Sequence, residues 1–253
     1  MSITEMTPDT TVGELVRERP ARSRIFEQLK LDYCCGGKLP LAEACARRGL
    51  DVRQVMDHLA DFDRRTEAEN AAEIDADAMG LTELADHIVR THHAYLKNEL
   101  PRLGMMVRKV AAVHGDRHPW MVELSGVFSG FAAELESHMM KEEQILFPLI
   151  RQLAGASSGG SGRSGAPGAP MSVANPIRVM ELEHDDAGAA LQRMSELSGG
   201  YTPPADACNT FRAMLDGLAR LQRDMHQHVH KENNVLFPRA IERESHLAAL
   251  GTL

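Results

Sequence analysis

The sequence predicts an all-α protein, an antiparallel four-helix bundle preceded by a small helical N-terminal domain. Three observations carry that expectation. Alternating β-branched runs are absent, while Leu, Ala, Met, Glu and Arg recur at helical spacing. Four long helical patterns fall at residues 81–113, 120–152, 174–198 and 206–243. The Gly/Ser/Pro tract "GASSGGSGRSGAPGAP", residues 155–170, divides them into two pairs with short internal connections, as up-down bundles require. Such a tract is expected to be flexible and solvated, a crossover inside one domain (residues 81–245) and not a boundary between two.

Ahead of the bundle, "TVGELVRER" and "ARSRIFEQL" each read as a short helix, the second following Pro20. A turn at "DYCCGGKLP" leads to a third helix at "LAEACARR", closed by Gly49, and a fourth begins near Asp51 and continues "VRQVMDHLADFDRR". Residues 1–66 form this small domain, and "EAENAAEIDADAMG" (67–80) reads as a connector.

The chain of 253 residues is long enough for a sizeable core. Its balance of 36 acidic against 28 basic side chains, net charge -8, argues against a nucleic-acid partner. No uninterrupted apolar run suits a membrane span, and "MSITEMTPDTT" lacks the features of a signal peptide. Four cysteines, two of them adjacent, do not make a disulfide framework, so a reducing, cytoplasmic setting is expected.

The chemistry is concentrated in a repeat. "HMMKEEQILFP" begins at His138 and "HVHKENNVLFP" at His228, 90 positions later. Residues i and i+4 of a helix share a face with Cβ atoms about 6 Å apart, so His138 with Glu142, and His228 with Glu232, each aim a nitrogen and a carboxylate the same way. Either pair alone would read as a surface ion pair. Repeated at equivalent places of a duplicated helix pair, they can converge on one centre, where burial would be prohibitive without a compensating metal. Pro148 and Pro238 are expected near the ends of their helices.

Duplication then requires a matching ligand from each preceding helix. "ELEHDDAGAAL" supplies His184, and "THHAYL" supplies His92 or His93. Phase favours His93, whose neighbours Val89, Leu96 and Leu100 mirror the Met180, Ala187 and Leu191 around His184. The expected ligands are His93, His138, Glu142, His184, His228 and Glu232. Four imidazoles and two bridging carboxylates suit two metal ions, with iron the best match and manganese or zinc as alternatives. Each ion would retain open positions for an oxo bridge or a small exogenous ligand. His226 and His230 have no counterpart in the first half and read as surface or outer-layer residues. His58, His87, His114, His118 and His246 carry the ordinary expectation of solvated or satisfied side chains. Glu143 and Glu183 are expected on an exposed helix face, and Cys45 and Cys208 in the core.

These residues resemble the hemerythrin-like proteins, whose ligands come from four antiparallel helices. The order His-x-x-x-Glu differs from the Glu-x-x-His of ferritin-like proteins. Relative to oxygen-carrying hemerythrin, a second Glu stands where that protein has His. With "DYCCGG" ahead of the bundle, and "EHDDAG" and "ENNVLFPRA" within it, nearly the whole chain resembles the repair-of-iron-centres family of di-iron proteins. The 155–170 tract is longer than is usual there.

The resemblance implies a cytoplasmic, homodimeric protein with two non-haem irons per chain, oxo-bridged, that restores iron-sulfur proteins damaged by nitric oxide or peroxide. Its clients would be damaged iron-sulfur proteins and its small ligands NO or O2. It would act as an iron donor and NO-binding protein more than as an enzyme; a gas-sequestering protein and a di-iron NO reductase are the alternatives, and the same six ligands serve all three. Cys34 and Cys35 are candidates for a redox or docking role, against the plain alternative of two small residues packed under a turn.

Overall fold

The computed structural model describes residues 6–66, 75–156 and 172–250. Among these there is no β-strand, only an isolated bridge between Thr11 and Pro40. No described helix is long and apolar enough to cross a membrane. Most of the tract at 155–170, and residues 67–74 of the connector, lie outside the described residues.

The N-terminal helices form where the sequence supplies caps. Helix α1 (Val12–Glu18) opens on a capping box in which the Thr11 hydroxyl and the Glu14 carboxylate satisfy each other's backbone amides. Helix α2 (Ser23–Leu29) follows a 3-10 turn at Pro20–Arg22 and ends at Lys30 in the left-handed region. Helices α3 (Leu41–Arg47) and α4 (Val52–Arg65) are separated by Gly49, at φ 67, and by Asp51, whose carboxylate accepts from the Arg53 and Gln54 amides. Their apolar faces share a core of Val12, Leu15, Phe26, Tyr33, Leu41 and Leu59. Arg22 is buried there, donating 2.7 Å to Asp63 and 3.0 Å to the Leu15 carbonyl. A cation so placed requires its anion.

The bundle consists of α5 (residues 81–114), α6 (120–155), α7 (Ala174–Leu197) and α8 (209–249). Each packs against its neighbours in chain order, and α8 closes the ring on α5. Two apolar layers fill the interior. One contains Leu103, Val107, Leu124, Phe128, Met194 and Leu218; the other contains Leu84, Ile88, Ile150, Ile177, Val235 and Leu247. Between them each helix contributes polar residues to a single buried level, which is where the predicted ligands fall.

Three of the four helices are not uniform. A wider π turn interrupts α5 at Val89–His93, α6 at Glu142–Leu146 and α8 at Glu232–Leu236. Such turns gather at functional sites. Pro148 and Pro238, expected near the ends of their helices, lie just past these turns, and α6 runs on to Gly155 and α8 to Ala249. Phe147 and Phe237 donate to the carbonyls of Glu142 and Glu232, five residues back. The prolines sit just after, in a widened turn that gives room to rings which would otherwise press on the carbonyl four residues behind.

Candidate metal centre

His138 and Glu142 lie where α6 passes into its π turn, and His228 and Glu232 where α8 does the same. His93 ends the π turn of α5, and His184 lies within α7. All six side chains point into the bundle, none more than 3% exposed. They fall into two overlapping groups, His93, Glu142, His228 and Glu232, and His138, Glu142, His184 and Glu232; within each group the donor atoms all lie within 4.8 Å of one another. Both carboxylates belong to both groups. Glu142 lies 3.3 Å from His93 Nε2 and 3.4 Å from His138 Nε2. Glu232 lies 3.1 Å from His184 Nε2 and 3.0 Å from His228 Nε2.

The donors fit a metal. Both Glu142 oxygens, Glu232 Oε2 and His93 Nε2 are buried without a hydrogen-bond partner, an arrangement too costly to keep unless something binds them. Nitrogen and oxygen donors without thiolate suit iron, manganese or zinc.

Behind three of the imidazoles stands an acceptor for the far nitrogen. Glu143 bonds His93 Nδ1 at 2.8 Å, Glu183 bonds His138 Nδ1 at 2.8 Å, and the side-chain Oδ1 of Asn233 bonds His184 Nδ1 at 2.8 Å. These contacts orient each ring with Nε2 toward the centre, as outer partners of metal-bound histidines do. Lys97 and Lys141 in turn pair with Glu143 and Glu183. The expectation that both acids lie on an exposed face is therefore corrected: the helix surface at this level faces its neighbour, and each carboxylate bridges two helices.

His92 is the second correction to a simple helical reading. The π turn lets both adjacent histidines face inward. His92 is 2% exposed and stacks on His228 with ring centroids 5.2 Å apart. Its Nδ1 bonds Asp224 at 2.9 Å, its Nε2 accepts from Lys231 at 2.9 Å, and burial with the Lys231 charge holds the ring neutral. Phe147 and Phe237, which follow the π turns of α6 and α8, stack on His93 at 5.8 Å and on His184 at 6.0 Å.

Burial opposes ionisation of Glu232, yet His228 and His184 outweigh it and hold that carboxyl well below the usual range. Burial and the charge of Glu232 act on Glu142 in the same sense, and His138 and His93 outweigh them. His138 is pushed up to about 9, burial being outweighed by the Glu142 charge. A histidine raised on folding stabilises fully below its ordinary range near 6.5 and loses that contribution as pH rises through its folded value. The metal-free protein is accordingly expected to lose thermal stability between about pH 6.5 and 9, while the loaded protein, whose His138 nitrogen is not free to bind a proton, holds it. Melting curves at both limits, with and without chelator, check this. Parallel pH dependence in the two forms would contradict it.

The N-terminal module docks beside this centre. His230 and the Asn234 amide both donate to the Tyr33 carbonyl at 3.3 Å, Asn234 also donates to the Cys34 carbonyl at 3.1 Å, and His226 pairs with Glu27 at 2.6 Å. His226 and His230, read from sequence as surface or outer-layer residues, are thus the docking face. Their counterparts 90 positions earlier, Glu136 and Met140, are exposed because the module covers only one of the two equivalent faces. A Cβ on Gly37 would fall inside the Asn234 side chain. Gly37→Ala is expected to weaken docking by about 1–3 kcal/mol; an unchanged urea midpoint would count against the close approach.

Cys34 is buried and Cys35 half-buried, neither in a disulfide; the Cys35 thiol lies 3.5 Å from the His184 carbonyl oxygen. Cys45 is in the core as expected. Cys208 is not: it caps α8 at the surface, its sulfur 3.4 Å from His114 Nε2. His87 and His114 are buried, while His58 and His246 are exposed.

Residues 84–240 match the hemerythrin HHE cation-binding domain, and residues 8–63 match ScdA_N, a domain of unknown function. The chain is 40% identical over 236 residues to iron-sulfur cluster repair protein YtfE of Citrobacter koseri, covering 93% of this chain and 98% of the relative. It belongs to the hemerythrin-domain iron-sulfur cluster repair family. Proteins of the same name from Escherichia coli O157:H7 and an Enterobacter species are also 40% identical over the same shares. The family's cation-binding domain spans the whole polar level of the bundle, from α5 through the π turn of α8. The N-terminal match ends within α4, inside the module that docks on it.

Proposed function

We propose that the chain is a di-iron protein that supports repair of iron-sulfur clusters damaged by nitrosative or oxidative stress, its bundle holding two non-haem irons available to damaged client proteins in the cytoplasm. The observation that carries this reading is the sharing of Glu142 and Glu232 between two donor groups, each completed by two imidazoles. In this reading His93 and His228 would hold one ion and His138 and His184 the other, with Glu142 and Glu232 serving both. Bound iron supplies exchangeable coordination positions at which a diatomic such as NO or O2 can bind.

The protein's own groups do the rest. Glu143, Glu183 and Asn233 keep Nε2 of their histidines turned inward and free of protons when an ion is present. Phe147, Phe237 and the two apolar layers exclude bulk water from above and below. A cavity of about 400 Å³ reaches His138 and His184 from the surface between α6 and α7, past Phe131, Leu135, Lys141 and Glu183. It gives a small ligand or an ion a route that avoids the core. This cavity favours NO or O2 binding as a second activity of the same centre.

The test is recovery of an iron-sulfur dehydratase inactivated by NO. Iron-loaded protein is expected to restore activity, and the metal-free protein or Glu142→Ala/Glu232→Ala is not. Equal recovery by the metal-free protein would contradict the proposal. Cys34→Ala/Cys35→Ala is expected to lose recovery while still binding NO, and full recovery by that variant would remove the cysteines from the repair step.

A further inference from the structure

Beyond the bundle centre, the described residues place one other set of metal-binding donors together: Asp32, Cys34 and Cys35, whose donor atoms all lie within 4.8 Å of one another. The Cys34 thiol is 3.2 Å from Asp32 Oδ1 and 4.0 Å from Cys35 Sγ. An ion about 2.3 Å from each sulfur at that spacing would subtend an S–metal–S angle of about 120°, close to tetrahedral. The donors need little movement to meet one.

The loop is fixed before any ion arrives. The Asp32 carboxylate accepts from the Cys34 amide at 3.0 Å and the Gly36 amide at 2.9 Å. A Cβ at Gly36 would lie 2.9 Å from the Asp32 carbonyl, so only glycine lets the chain fold back this tightly. Asn234 clamps the loop from α8 through the Tyr33 and Cys34 carbonyls. A cavity of about 220 Å³ opens beside the thiols, lined by Lys38, Asp185, Asn233 and Asn234 among others, with room for a further ligand. Two packed thiols under a turn would need no such opening.

We propose that Asp32, Cys34 and Cys35 form a third metal site, distinct from the bundle centre, for a single thiophilic divalent cation of the Zn2+ or Fe2+ type. On binding, two S–H bonds are exchanged for two metal–sulfur bonds and both protons pass to solvent; no electron is transferred. The site stands independently of the repair reading, which concerns the six bundle donors.

The test uses the full-length, iron-loaded protein, reduced and kept anaerobic, titrated with Co2+. Cobalt–thiolate bonds give an intense near-ultraviolet charge-transfer band that imidazole and carboxylate ligands do not. The band is expected to saturate at one equivalent, to vanish in Cys34→Ala/Cys35→Ala, and to persist in Cys45→Ala/Cys208→Ala. In Asp32→Asn, saturation should move to higher cobalt. Circular dichroism of the Cys34/Cys35 variant separates loss of the site from loss of the fold. Absence of the band in the unsubstituted protein, or its survival when both thiols are gone from a folded chain, overturns the site. The iron spectrum read in the same samples keeps the two readings apart: a thiolate band without bundle iron would sink the di-iron reading and leave this one standing.

Discussion

Glu142→Ala or Glu232→Ala is expected to strip both ions from the bundle, whereas His93→Ala removes only one. The asymmetry follows from the geometry. Each histidine belongs to one donor group, but each carboxylate belongs to both. Losing His93 leaves His138, His184, Glu142 and Glu232 in place, and they still offer a complete set. Losing Glu142 leaves both groups with three donors and removes the anion that faces Nε2 of both His93 and His138. Affinity at both positions should fall by more than about 100-fold, beyond the 10- to 100-fold that loss of an outer partner usually costs. Metal analysis after gel filtration reads the difference directly. If Glu142→Ala retained one tightly held ion, or His93→Ala lost both, the shared-carboxylate arrangement would be wrong.

Removing the metal is the second large effect. An ion that binds only the folded chain stabilises it by about 4 kcal/mol when present at 1,000 times its Kd. For a chain of this size that corresponds to roughly 8–16 °C in Tm. Calorimetry with and without chelator should therefore show a lower transition for the stripped protein, restored by adding iron back. The N-terminal core, built from its own residues, lies apart from this level and is expected to respond less. An identical Tm in both states would mean that the polar level is stable without an ion.

Sequence carried the ligand level further than its surroundings. The repeat of His-x-x-x-Glu at a 90-residue offset pointed to four candidate ligands, and a near-equal offset of 91, with helical phase deciding against His92, pointed to His93 and His184, because equivalent helices of a duplicated bundle must face one centre. The short N-terminal helices were legible from helical spacing and from Pro20, Gly49 and Asp51 at their ends. What escaped was whatever depends on departure from the regular helix. A phase of 3.6 residues cannot bring His92 and His93 inward together; the π turn of α5 does. Glu143 and Glu183 looked solvent-facing because their partners lie on other helices, 50 and 45 residues away. The duplication itself held the missing signal. Glu143 and Asn233 follow Glu142 and Glu232, and each backs a histidine of a different helix. His226 and His230 were isolated in sequence for a different reason: they meet the N-terminal module, which has no second copy.

Anomalous diffraction at the iron edge from crystals of the iron-loaded protein goes straight to the point on which everything else rests. Two peaks should lie inside the bundle, one between His93 and His228 and the other between His138 and His184, with Glu142 and Glu232 reaching both. A single peak, or iron bound away from these six side chains, would contradict the paired centre.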